Sequence, residues 1–94
     1  MEKKIKELIK RRTKLIFEIG YIKSLKNPSF NQMRNASDVY PNEVRAIETK
    51  LRIAERFLKE KLRLIDVLEM KEEISSIKNL QEKIKKVLYG KNEK

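Results

Sequence analysis

The chain has 94 residues and carries 24 Lys and Arg against 14 Asp and Glu, a formal net charge of +10, with no His and no Cys. Those absences exclude His- and Cys-ligated metal sites and the commonest nucleophile–base pairs, and the length allows one domain with a modest core. A charge excess of this size attracts an anionic partner.

Gly and Pro contribute two residues each, too little turn chemistry for a sheet protein, while Leu, Ile, Glu, Lys and Arg fill long segments at helical spacing. An all-α fold is expected, with residues 1–94 as a single domain. The opening Met1-Glu2-Lys3-Lys4 is charged with no apolar run behind it, so no secretory signal is expected. No apolar stretch approaches ~18 residues, so no membrane span is expected. Zero cysteines fits a reducing, cytoplasmic or otherwise intracellular compartment.

Ile5, Leu8, Leu15, Ile19 and Ile22, widened by Ile9 and Ile16, mark an amphipathic helix over about residues 2–26. Asn27-Pro28 ends it, because proline removes a donor and restricts its predecessor. Ser29 and Gln32 read as a capping box, so residues 27–40 hold a loop and a short helix that Ser37-Asp38 should break. Pro41 suits the first turn of the next helix, where its missing N–H loses no partner.

Val44, Ile47, Leu51, Ala54, Leu58, Ile65 and Leu68 then trace a second stripe. From Leu64 to Met70 apolar residues cover most of the circumference, and the stripe resumes as Met70, Ile74, Ile77, Ile84 and Leu88, shifted by two positions. With no Gly or Pro nearby, one long helix over about 41–89, kinked near 69–76, is favoured over a helix pair. Gly90 should cap it, leaving residues 90–94 as a loose tail. An antiparallel hairpin of the first helix against this long one would leave Ile74, Ile77, Leu80, Ile84 and Leu88 uncovered. A partner subunit is therefore expected to bury them, completing a helical bundle by oligomerisation.

The charge is uneven. Residues 1–28 hold nine bases and three acids, a net +6, whereas residues 41–70 net +1 and residues 71–94 net +3. Lys3, Lys6, Lys10 and Lys14, with Arg11 beside them, rise along one flank of the first helix over ~17 Å, enough to follow several phosphates. The second helix carries Arg45, Arg52, Arg56, Lys59 and Arg63 away from its stripe, with helical neighbours to pair them: Glu48 with Arg52, Glu55 with Lys59, Arg56 with Glu60. Lys3, Lys6, Lys10, Arg11, Lys14, Arg52, Arg56 and Arg63 are the candidate nucleic-acid contacts. Phe17 and Tyr21, one turn apart, are expected to pack on the second helix rather than to stack bases. No helix-turn-helix, zinc-finger or RNA-binding aromatic motif is present, so phosphate contact with weak sequence preference is the mode that fits.

Arg12 interrupts the first stripe, and Lys23 follows three turns later on the same side. Together with Arg34 they are candidate anion-binding residues. The stretch Arg11-Arg12-Thr13-Lys14-Leu15-Ile16-Phe17-Glu18-Ile19-Gly20-Tyr21-Ile22-Lys23 resembles the first helix of the all-helical chorismate mutases. In that family an Arg and a Lys at this spacing hold the substrate's carboxylate and ether oxygen, which implies an electrostatically assisted rearrangement here. The chain departs from the family pattern: its earlier arginine would fall before Met1, and Asn31-Gln32-Met33-Arg34-Asn35 stands where Asp-x-x-Arg-Glu is usual. The favoured reading of Arg12 is a side chain snorkelling at a subunit interface.

The favoured reading is a small basic helical oligomer that binds duplex nucleic acid through phosphates, with no cofactor, no metal and no catalytic residue. The alternatives are an assembly or adaptor protein for an acidic protein partner, and a chorismate-mutase-like enzyme.

Overall fold

A computed structural model describes residues 2–90. It is all helical: α1 spans Glu2–Ser24, α2 Phe30–Arg34, α3 Tyr40–Leu68 and α4 Lys71–Leu88, with a π-helical segment, Asn35–Val39, joining α2 to α3. The expected tail at residues 91–94 lies outside the described residues, and the molecule measures 58 × 26 × 17 Å.

α1 ends at Ser24, whose Oγ donates to the Tyr21 carbonyl at 2.7 Å. Ser29 opens α2 through a complete capping box. The Gln32 N–H donates to Ser29 Oγ at 3.1 Å, and the Ser29 N–H donates to Gln32 Oε1 at 2.8 Å. The expected break at Ser37-Asp38 does not occur. The backbone stays right-handed through Asn35, Val39 and Tyr40, and the helix widens so that the Tyr40 N–H reaches the Asn35 carbonyl. Pro41 sits in the first turn of α3. It can donate no backbone bond and crowds the carbonyl four residues back, so the looser register accommodates it without ending the helix.

The single long C-terminal helix is corrected to two helices. Glu69 takes a left-handed conformation (φ 58°, ψ 39°). Its N–H donates to the Asp66 carbonyl at 3.1 Å while the Met70 N–H reaches back to Ile65 at 3.4 Å, the paired bonds of a Schellman stop. α4 then runs back along α3, so that Tyr89 Oη comes within 3.4 Å of Glu55. Gly90, expected to cap the helix, has no positive φ, and Tyr89 caps α4 instead.

One core results. Ile5 and Leu15 of α1, Ile47, Leu51, Leu58 and Ile65 of α3, and Ile77, Leu80 and Ile84 of α4 form a continuous buried cluster. Leu51 and Ile84 are completely buried, each contributing roughly 1.5–3 kcal/mol through burial. The expectation that a partner subunit buries Ile77, Leu80 and Ile84 is corrected as well: α4 delivers them to α3 of its own chain, because the turn at Glu69 reverses the helix and cancels the phase shift. α1 covers the N-terminal part of α3 and α4 the C-terminal part, so the start of α1 meets the end of α4.

Candidate nucleic-acid interface

At that meeting point Lys3, Lys6, Lys10, Lys83 and Lys86 line an open groove of about 640 Å³ floored by Ile9 and Val87, with Glu7 as its one acid. Three of the lysines rise along α1 at spacings of three and four, so they share its outward face. The other two come from the last turns of α4, and α4's C-terminal carbonyls offset part of the repulsion within the cluster. Lys3, Lys10, Lys83 and Lys86 have no carboxylate within ion-pair distance among the described residues; Lys6 is 3.5 Å from Glu2, a pair with both side chains about half exposed. Such a cluster keeps a strong positive potential.

The lysine face continues into aromatic residues. Lys14, Phe17 and Tyr21 follow Lys10 at spacings of four, three and four, and all are exposed. Phe17 is 72% exposed and Tyr21 52%, which corrects the expectation that they pack on the second helix. Their positions fall opposite Ile5, Leu15 and Ile22, the residues that α1 buries. The basic run on α1 thus ends in two outward-facing aromatics.

The arginines divide. The Arg11 Nε donates to Glu43 Oε2 at 2.9 Å, so this candidate contact is engaged within the chain. The hydrogen bond and the charge of Arg11 hold the Glu43 carboxyl below its ordinary range, and Glu43 raises the Arg11 guanidinium. Arg12 is half-buried, with Nε 2.8 Å and a terminal nitrogen 2.7 Å from Glu48 Oε2, an ion pair joining α1 to α3. Lys23 lines a separate groove with Ile22, Leu25, Pro28, Met33, Ala36 and Ser37. Arg34 is exposed at the end of α2 and, like Arg12, does not line that groove. The three candidate anion-binding residues are thus not brought together.

On α3, Arg52 and Arg56 join Lys59 and Tyr89 around a shallow groove with Glu55, while Arg63 lies further along, exposed. None of the three helical ion pairs expected for this face forms among the described residues. Glu48 goes to Arg12 across the helix interface, where partial burial strengthens the attraction, and Glu55 faces Tyr89. Arg52, Arg56 and Lys59 are left to solvent or to a ligand. The sequence reading missed Lys83, Lys86 and Tyr89, because a straight helix would carry them far from α1. The phase shift of two positions after Met70 was the signal that could have placed them. Among the described residues no group of three or more acids gathers to hold a metal ion, and no described helix is long and apolar enough to cross a membrane. The chain matches no protein-family model, no curated protein and no solved structure.

Proposed function

We propose that this protein binds nucleic acid through its phosphates with weak sequence preference, as an oligomer built on the antiparallel hairpin of α1 and α3. The observation that supports this reading most is the convergence of Lys3, Lys6 and Lys10 with Lys83 and Lys86 on one groove, from opposite ends of the chain. Five cations against one carboxylate in an open groove suit a polyanion better than a small closed ligand. Arg52, Arg56 and Lys59 around Tyr89 form a second basic surface, and the end of α4 contributes to both.

Salt titration of duplex binding tests the reading. Each lysine that displaces a counterion adds about 0.9 to the slope of log affinity against log salt, so a slope of magnitude ~4–6 is expected. Replacing Lys83 and Lys86 with Gln should lower it by about 2, and replacing Lys3, Lys6, Lys10 and Lys14 by about 3–4. The same change at Lys71 and Lys78, exposed on α4 but outside the groove, should leave the slope nearly unchanged. Equal effects from both α4 pairs, or no binding at about 50 mM salt, would reject the groove and turn the search to an acidic protein partner.

A further inference from the structure

We propose that two copies of this chain pair antiparallel through the outer face of α3, about a two-fold axis between Glu60 and Lys61. Ile53, Phe57, Leu64 and Leu68 are 59%, 53%, 68% and 67% exposed. At ~100° per residue they fall with Glu60 and Lys61 in one sector of α3, away from Leu51, Leu58 and Ile65, which face the core. The groove beside them is lined by α3 residues alone, so α1 and α4 do not cover it.

The pattern is its own mirror. The intervals Ile53–Phe57–Glu60–Lys61–Leu64–Leu68 are four, three, one, three and four, and read the same in both directions. An antiparallel copy therefore sets Ile53 opposite Leu68, Phe57 opposite Leu64 and Glu60 opposite Lys61, each twice, which is the isologous complementarity a two-fold dimer needs. A parallel copy would oppose Glu60 to Glu60 and Lys61 to Lys61. Neither Glu60 nor Lys61 has an ion-pair partner in its own chain among the described residues. The exposed side chains offer on the order of 500 Å² per copy, about 1,000 Å² per pair, the lower bound of a specific interface. This inference deepens the oligomeric part of the reading above and is independent of its nucleic-acid part, because its test contains no nucleic acid.

Sedimentation equilibrium of the purified chain from about 1 to about 200 µM should show a monomer–dimer equilibrium in the micromolar range. Glu60→Lys or Lys61→Glu alone should weaken it about tenfold or more, and the double exchange should restore it. Circular dichroism should show unchanged helicity, since both side chains are exposed. The chain has no cysteine, so mixing Ile53→Cys with Leu68→Cys chains under oxidation should yield the mixed disulfide. A monomer at the highest concentration assigns the stripe to another occupant and overturns the proposal. So do a dimer indifferent to the single charge reversals, and crosslinking of Ile53→Cys only to itself.

Discussion

Along the N-terminal half of α3, α1 is fastened by Arg11–Glu43 and Arg12–Glu48 as well as by Ile5 and Leu15; along the C-terminal half, α4 is held by Ile77, Leu80 and Ile84 with one long Tyr89–Glu55 hydrogen bond. The two attachments differ in what specifies them. Apolar burial supplies energy but little direction, whereas a charged pair at 2.7–2.9 Å fixes which residues meet. α1, tethered through residues 25–29, adds to its apolar packing one exposed and one half-buried ion pair, both to α3. α4 needs less, because the Schellman stop at Glu69 already aims the chain back along α3. Charge and pH should therefore act on the α1 side, and cavities and turn chemistry on the α4 side.

The largest effect expected from this contrast is at Ile84, which is completely buried. Ile84→Ala should cost about 2–4 kcal/mol through lost burial and the cavity left behind, measured by urea denaturation. It should also loosen the end of α4 and, if the proposed function holds, weaken nucleic-acid binding, although Ile84 is buried and does not line the groove. Retained affinity in a folded Ile84→Ala variant would argue against the groove. Glu48→Gln comes next. It leaves the half-buried Arg12 without its counter-charge and should cost about 1–3 kcal/mol, while Glu55→Gln at the α4 side should cost well under 1 kcal/mol. A double-mutant cycle with Arg12→Met should then show coupling.

Third is the turn itself. Glu69 holds a left-handed conformation that glycine adopts freely. Glu69→Gly should thus stabilise the fold by about 0.5–1 kcal/mol, read as a higher urea midpoint, and a loss would mean the turn is not as described. The smallest effect is acid sensitivity at Glu43. Its depressed carboxyl contributes stability above the ordinary value of 4.5, and that contribution is lost as pH falls through the folded value. Between about pH 5 and about pH 3 the melting temperature should fall less in Arg11→Gln than in the wild type. An NMR titration of Glu43 should show its pKa rising in that variant.

Much of the fold is legible in the periodicity. Ile5, Leu15 and Ile22, at intervals of ten and seven, and Ile47, Leu51, Leu58 and Ile65, at four, seven and seven, are the residues buried on α1 and α3. The capping box at Ser29 is equally plain, because it depends on two side chains three residues apart. The turn at Glu69 is legible only indirectly: a glutamate in the left-handed region leaves no mark in composition, and the phase shift after Met70 shows that the buried face changes without showing that the chain reverses. The apolar residues from Leu64 to Met70 conceal two separate faces. Ile65 belongs to the core, whereas Leu64, Val67 and Leu68 are exposed. Phe17 and Tyr21 are exposed because their angular position on α1 places them with the lysine face; hydrophobicity alone does not imply burial.

By itself, the sequence determined that the chain is helical, which residues α1 and most of α3 bury, and that α1 carries a surplus of positive charge. Those properties depend on the helical repeat and on residue type, and both are local. Tertiary structure alone decided that α4 turns back, that Arg11 and Arg12 are taken by Glu43 and Glu48, and that Lys83 and Lys86 join Lys3, Lys6 and Lys10. Each of these depends on which distant residues the reversal at Glu69 and the packing on α3 bring within a few ångströms of one another, and neither spacing nor charge along the chain encodes that distance.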